Sequence, residues 1–390
     1  MVQYFKMKGD GFLFEDLKTY PSVFAVGDEY QIFISANCEI LLWIEIDGEK
    51  YYDHSNGIIR SGKLVHSVKI PMEVLDKAKK YSVCYRKVIE RRPYFSQTED
   101  IKTFDFKFRP VEGENIRLYH ISDAHNKVET PVKAALYKDF DLLILNGDVP
   151  EDSRKIEHFD TIYNISGEIT KGEIPIVFSR GNHDLRGICA EKLSEYTPTD
   201  NGNSYYTFRL GALWGIVMDC GEDKPDDHIE YGNTVCCEVF RRDVTRFLEK
   251  VVAKKEYLDE NIKYKMIVCH VPFFEKFREP YNVDEDIHDY WTKLLRENVK
   301  PDIMYSGHHH LNVIRHIGGE HDYHSQPCPC VIGSNPCLKL QKEEGIDKFI
   351  GCYTELNGLE AYVEFNDNNN EIFATHRFYL GENDNGDIKD

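Results

Sequence analysis

Residues 116–125 read Ile-Arg-Leu-Tyr-His-Ile-Ser-Asp-Ala-His, residues 142–148 read Leu-Leu-Ile-Leu-Asn-Gly-Asp, and residues 174–184 read Ile-Pro-Ile-Val-Phe-Ser-Arg-Gly-Asn-His-Asp. Each is a short apolar run that stops at Gly, Asp, Asn or His, the pattern of a buried strand closed by a polar turn. The pattern recurs downstream at 214–219, at 264–269 before His270, and at 302–306 before Gly307-His308-His309-His310. Helical segments fall between several of these strands. In 284–299, Ile287, Tyr290, Trp291, Leu294, Leu295 and Val299 recur at helical spacing, as do Phe240, Val244, Phe247, Leu248, Val251 and Val252. Strands alternating with helices predict an α/β domain whose sheet is covered by helices. The two helical stripes read as core.

Ahead of residue 110 the rhythm differs. Segments 31–34, 39–46, 64–70, 81–88 and 104–108 alternate apolar and polar residues, and Asp47-Gly48 supplies a hairpin dipeptide suited to positive φ. Phe104, Phe106 and Phe108 share one face of their strand. Several short strands and a single helical stretch, 72–80, predict an immunoglobulin-like or fibronectin-like β-sandwich over residues 1–110, with the α/β domain over 111–390. The tail predicts a hairpin of 361–365 and 371–378 around 366–370, and the last ten residues are expected to fray.

Composition narrows the function. Among 390 residues, 48 Lys plus Arg against 67 Asp plus Glu give a net charge of −19, a field that repels nucleic acid and anionic membranes. No run approaches the roughly 18 apolar residues of a membrane span, and residues 1–10 lack the basic flank and apolar core of a signal peptide. The expectation is a cytoplasmic protein with a small-molecule partner; the oligomeric state is not legible. Eleven scattered cysteines suit reduced thiols. Cys328, Cys330 and Cys337 match no usual zinc spacing and are expected as buried thiols. No P-loop, dinucleotide or Gly-x-Ser-x-Gly fingerprint occurs.

The polar residues at the strand ends carry the chemistry. Open α/β sheets bind ligands beyond the carboxyl ends of their strands, and there the sequence places Asp123, His125, Asp148, Asn182, His270, His308 and His310. The glycines before Asp148, Asn182 and His308 let these groups approach one point. Carboxylate, amide oxygen and imidazole without thiolate suit a hard or borderline ion, and seven donors exceed one tetrahedral site. Two ions sharing a carboxylate fit, a device for displacement at phosphorus that activates water and neutralises phosphoryl charge. His120, His228, His321 and His324 are expected as core or surface histidines.

Asp-x-His, Gly-Asp, Gly-Asn-His-Asp, a lone His and Gly-His-x-His, in that order and each after an apolar strand, resemble the calcineurin-like metallophosphoesterase superfamily from about Ile116 to the C-terminus. The resemblance implies a four-layer α/β/β/α domain, preceded here by a β-sandwich in a purple-acid-phosphatase-like arrangement. It implies that Asp123, His125 and His310 hold one metal, Asn182, His270 and His308 the other, and that Asp148 bridges them. His183 would act as general acid or donor, oriented by Asp184, and Arg180 would contact substrate phosphate. His309 stands outside the ligand set. Asp219 and Glu222 lie at a strand end near the site.

Purple acid phosphatases lack the His at position 125 and carry a Tyr after Gly-Asp, where this chain has Val149, so a tyrosinate-iron centre is not expected. Cyclic-nucleotide phosphodiesterases of the superfamily often have Asp where Glu151 stands. The expected function is hydrolysis of phosphate esters, phosphomonoesters first, by metal-bound hydroxide without a phosphoenzyme. The alternative is a phosphodiesterase acting on cyclic nucleotides or nucleic-acid ends. The two ions could be Mn, Fe, Zn or Ni.

Overall fold

The computed structural model describes residues 15–333 and 348–388. Its strands form two principal sheets packed face to face. In the first, nine strands lie in the order Ile372–Tyr379, Glu360–Asp367, Ile350–Asn357, Ile116–Ile121, Leu142–Asn146, Pro175–Ser179, Ser22–Val26, Glu29–Ser35 and Val65–Pro71. In the second, six lie in the order Tyr206–Leu210, Leu213–Val217, Tyr264–Val268, Ile303–Ser306, Cys330–Ile332 and Val313–Arg315. The strands that lead into the expected metal donors run parallel within each sheet. Their loops therefore emerge at one end of the molecule.

Side-chain alternation decides the layers. Ile116, Leu118, Leu142, Ile144 and Val177 face inward against Val217, Met266, Val268, Ile303 and Tyr305, forming the core between the sheets. Their neighbours Tyr119, Ile121, Leu143, Leu145, Ile176 and Phe178 face outward onto helices Glu129–Ala135 and Asp160–Thr170. On the far side Trp214, Ile216, Ile267 and Met304 meet Val244, Leu248 and Val251 of helix Cys237–Lys254 and Trp291 of helix Glu285–Leu294. That helix continues through Leu295–Val299. Strands covered on both faces need apolar residues at every position, which explains the unbroken apolar runs in the sequence. The result is the expected order of helix, sheet, sheet, helix.

The N-terminal strands are arranged otherwise than as a separate sandwich. Glu29–Ser35, Val65–Pro71 and the strand Ser22–Val26, which has no alternation to betray it, belong to the nine-stranded sheet, with Val23 and Phe24 paired to Pro175 and Ile176. Most of the other strands form a five-stranded sheet, Lys102–Lys107, Lys80–Glu90, Ile40–Ile46 and Glu49–Tyr52 in order with Gln97–Thr98 also paired to Lys80–Glu90, turning at Asp47 and Gly48 with φ of 48° and 87°. Ile32, Ile34, Val68 and Ile70 share one core with Leu42, Ile44, Val83 and Tyr85 of this second layer. The physical reason is edge protection: without Ser22–Val26, strand Pro175–Ser179 would expose an unpaired edge.

The expected C-terminal hairpin forms between Glu360–Asp367 and Ile372–Tyr379. The expected fraying does not extend through the described tail: Asp384 is buried, accepting Nδ1–H of His316 at 2.7 Å and N–H of Ile317 at 2.8 Å, and Ile388 N–H reaches Arg377 O at 2.7 Å. Two donors on a buried carboxylate fasten that segment. Cys328 and Cys330 are buried in the core beneath helix Cys237–Lys254, while Cys337 and residues 1–10 lie outside the described residues. Among the described residues no helix is long and apolar enough to cross a membrane.

Candidate metal centre

Strands Ile116–Ile121, Leu142–Asn146 and Pro175–Ser179 of one sheet end in the loops of Asp123 and His125, Asp148, and Asn182. Strands Tyr264–Val268 and Ile303–Ser306 of the other end in those of His270, and His308 and His310. Five of these seven donors adopt left-handed backbone conformations: Asp123 (φ 54°), His125 (46°), Asp148 (51°), His308 (68°) and His310 (52°). A non-glycine residue there costs about 1–3 kcal/mol and persists only where its surroundings over-determine it. They do so here. Asp123 N–H donates to Gly147 O and His125 N–H to Asp148 O, both at 3.0 Å, and His308 N–H reaches both Asp123 carboxylate oxygens at 3.1 Å. The last contact ties the two sheets together at the centre.

Close approach also dictates glycine. A Cβ on Gly307 would lie 1.7 Å from Ser122 Oγ and 2.5 Å from Asp123 Oδ2, and one on Gly181 would lie 2.2 Å from Asp148 Oδ1. Any side chain would push the donor loops apart.

Five of the seven donors gather into two overlapping groups, Asp123/His125/His310 and Asp123/Asp148/His270, and His125 forms a third with Glu151 and His183, the atoms within each lying within 4.8 Å of one another. His125 Nε2 and His310 Nε2 are 3.3 Å apart with stacked rings, and His310 Nε2 is 3.4 Å from Asp123 Oδ1. His270 Nε2 lies 3.2 Å from Asp148 Oδ2 and 3.9 Å from Asp123 Oδ1. Asn182 Oδ1 and His308 Nδ1 are 3.2 Å apart. Asp123, rather than Asp148, is the member common to both groups; the Asp148 carboxylate is drawn to His270.

Electrostatics shows that the set fits cations. Burial pushes the imidazoles of His125 and His308 down to about 3 and that of His310 down to about 4, leaving them neutral, the form that binds metal. Burial would lower His270 as well, but the charges of Asp148 and Asp123 raise it to about 10. Burial lifts Asp123 to about 7, with Asp148 adding to the rise, whereas Asp148, despite its burial, is held well below the ordinary carboxylate range by His270 and its neighbouring imidazoles. The metal-free cluster thus stores protons where ions would put positive charge. His270 Nε2 is buried with no well-formed hydrogen bond, and once its proton leaves it offers a lone pair to a cation.

A pH dependence follows. Loading the centre at pH 7 must displace the His270 proton and part of that on Asp123, so about one to two protons leave per chain. As pH rises through about 7 the Asp123 proton is already gone, so apparent metal affinity should increase with pH. Calorimetric titration of metal-free protein with Mn²⁺ in buffers of different ionisation enthalpy measures this; a heat independent of buffer would contradict it.

Of three further expected residues, Asp184 and Arg180 are placed differently from their expected roles. His183 adjoins the cluster: its N–H donates to Asp148 Oδ1 at 2.8 Å and its ring stands edge-on to His125 at 4.7 Å. The carboxylate of Asp184, expected beside that ring, instead accepts Gly181 N–H at 2.6 Å and Asp148 N–H at 3.1 Å, completely buried. The ring is oriented by others. Nδ1–H donates to Glu151 O at 2.9 Å, and Nε2 accepts Arg186 Nη1–H at 2.9 Å, which places the proton on Nδ1 because guanidinium cannot accept. The guanidinium of Arg180 is turned to Asp219, Nε to Oδ2 at 2.7 Å, and lies over Phe240 at 5.0 Å. A salt bridge takes the group expected to face phosphate.

Arg186, Glu222 and Tyr231 are the residues that sequence reasoning undervalued. His183–Leu185 is a single 3₁₀ turn, in which i and i+3 side chains eclipse, so the three-residue step from His183 to Arg186 was the available signal. Glu151 Oε2 lies 3.1 Å from His125 Nδ1. His309 stands outside both donor groups, 3.0 Å from Glu275 Oε2, and His120 and His324 are buried beside Asn146 and Asp289.

A family model for calcineurin-like phosphoesterases matches residues 116–312, a segment that holds all seven donors. A probable cyclic nucleotide phosphodiesterase of Fibrobacter succinogenes is 28% identical over 110 residues, which span 28% of this chain and 41% of that protein. Among solved structures, a purple acid phosphatase from yellow lupin (Lupinus luteus) seeds superposes with a TM-score of 0.58 at 14% identity, covering 93% of this chain and 75% of its own. PhoD superposes with a TM-score of 0.56 at 10% identity, covering 98% and 94%. These two likenesses bear on the fold. With the matched segment running from the first donor strand past His310, the chain belongs to the calcineurin-like phosphoesterase family.

Proposed function

We propose that the protein hydrolyses phosphomonoesters of small molecules at a centre of two metal ions held by Asp123, His125, Asp148, Asn182, His270, His308 and His310. The observation that carries this reading is the convergence of these donors from two sheets on strained backbone held by inter-sheet hydrogen bonds. When bound, the ions supply Lewis-acid charge for the phosphoryl oxygens and lower the pKa of water. The chain's own residues do the rest. The His183 amide fixes Asp148, Asp184 fixes the Gly181 and Asp148 amides, and Glu151 holds the His183 ring. His183 is the group placed to serve the leaving-group oxygen, with Asp184 acting on it only through the backbone.

A second reading, hydrolysis of phosphodiesters such as cyclic nucleotides, is favoured by the likeness to the Fibrobacter protein, a probable cyclic nucleotide phosphodiesterase. In both readings residues 111–390 carry the chemistry, and the strands between Ser22 and Lys107 form a β-module that shares a sheet with them. Mn, Fe, Zn and Ni all suit the donor set, and the scattered thiols suit a reducing cytoplasm.

The test is metal content of the purified protein together with hydrolysis of 4-nitrophenyl phosphate and bis(4-nitrophenyl) phosphate, with and without added Mn²⁺. Two ions per chain and faster monoester turnover are expected. Preference for the diester moves the second reading forward, and absence of both metal and turnover after reconstitution rejects both.

A further inference from the structure

Arg186 is built into the site more firmly than a surface arginine. Its guanidinium meets Glu222 as a fork, Nε to Oε1 at 2.9 Å and Nη2 to Oε2 at 3.0 Å, and Glu222 is almost completely buried. The buried Tyr231 hydroxyl, 3.0 Å from Glu222 Oε2 and 2.9 Å from Asp223 Oδ1, braces the carboxylates from behind. The backbone amide of Glu222 in turn donates to Cys237 Sγ at 3.3 Å, at the start of helix Cys237–Lys254. Two edges of the guanidinium are thereby fixed. The remaining edge, Nη1, points at His183 Nε2, one hydrogen bond from the metal-donor cluster.

That last contact is a poor use of a permanent cation. A neutral imidazole nitrogen accepts a weaker hydrogen bond from guanidinium than a phosphoryl oxygen does, because only the donor is charged in the first and both partners are charged in the second. The surroundings sharpen the point. Asp223 lies 3.7 Å from Arg186 and 3.8 Å from His308 Nε2, so the same side of the site carries two buried carboxylates, Glu222 and Asp223. Lys224 Nζ, 3.1 Å from Asp223 Oδ1, offsets one of them, so without the arginine Glu222 would be left to repel an incoming phosphate, and a doubly charged one most of all.

We propose that Arg186 is a specificity-determining residue that binds the terminal phosphoryl group, exchanging His183 Nε2 for a non-bridging phosphoryl oxygen and favouring dianionic monoesters over monoanionic diesters. Glu222 and Tyr231 are its positioning residues. The exchange also frees His183 Nε2, which takes up a proton from water before it can donate to the leaving-group oxygen. This inference rests on the hydrolase reading above and names the charge class of its substrate.

The experiment compares wild type, Arg186→Met and Arg186→Lys on 4-nitrophenyl phosphate and bis(4-nitrophenyl) phosphate, which share a leaving group, with metal content checked for each. The monoester-to-diester ratio of kcat/KM is expected to fall about 10- to 100-fold in Arg186→Met, the range of one charge-assisted hydrogen bond, and less in Arg186→Lys, which keeps the charge but not the fork. Inorganic phosphate should bind the metal-loaded Arg186→Met protein more weakly by a similar factor, a calorimetric readout that needs no turnover. Equal losses on both substrates, or unchanged phosphate affinity, overturn the assignment. If Arg186→Met leaves Glu222 unpaired and unfolds the chain, Arg186→Lys alone decides by the same two readouts. Wild-type protein that holds two ions and hydrolyses neither ester rejects the hydrolase reading, while phosphate binding still judges Arg186.

Discussion

Asp148→Asn is expected to leave a folded chain that holds fewer than two ions and has lost about 10⁴-fold or more in kcat/KM, the scale of removing one member of a catalytic unit. The substitution preserves volume, and the amide oxygen still accepts the His183 N–H that Asp148 Oδ1 now receives at 2.8 Å. What disappears is the negative charge facing His270 at 3.2 Å in a fully buried setting. A cation taken out of water needs that charge, since a buried charge without a partner is disfavoured by several kcal/mol. Metal analysis after extensive dialysis, with kinetics at saturating Mn²⁺, measures both effects. Two tightly held ions and near-normal turnover would remove Asp148 from the ligand set.

Gly307→Ala should be nearly as damaging although it touches no donor atom chemically. The added methyl would sit 1.7 Å from Ser122 Oγ and 2.5 Å from Asp123 Oδ2. Ser122 Oγ is itself hydrogen-bonded to Asp123 Oδ2 at 2.5 Å and to Asn146 O at 2.8 Å, so it has nowhere to retreat without releasing the carboxylate. The chain must move, and the movement separates the two sheets where their donors meet. Overpacking of this kind costs about 1–3 kcal/mol of stability, and a displacement near 1 Å at a reacting site costs about 10²-fold in rate. Thermal unfolding and kcat/KM report the two losses. Gly62→Ala is the control: a Cβ there meets nothing within 4 Å and φ is not left-handed, so it should behave as wild type. A Gly307→Ala enzyme indistinguishable from Gly62→Ala would show that the loops are looser than their contacts indicate.

The donors were legible because metal chemistry restricts residue type and because each donor follows its own apolar strand within one or a few residues. Both are local properties of the chain. Asp123 after 116–121 and His270 after 264–268 need no knowledge of partners to be noticed. The partners of the two arginines were another matter. Arg180 and Arg186 flank the same motif, and which of them faces the centre depends on Asp219 and Glu222, which a later strand end and loop carry to their sides. The family resemblance favoured Arg180; folding gave it to Asp219 and brought Arg186 to His183.

Strand membership divides along the same line. Amphipathic and apolar periodicity along the chain marked many of the helices and strands, because burial on one or both faces is written in every second or every third to fourth residue, while the four layers followed from the family resemblance. It could not say that Ser22–Val26 pairs with Pro175–Ser179, since backbone hydrogen bonds between sequence-distant strands carry no side-chain signature. The sequence by itself determined the chemistry of the centre, seven oxygen and nitrogen donors at strand ends. Only the tertiary structure decided which carboxylate is common to both donor groups, which arginine reaches His183, and that the N-terminal strands extend the catalytic sheet, because each depends on which distant groups share a low-dielectric interior where pairing is strong and being left unpaired is costly.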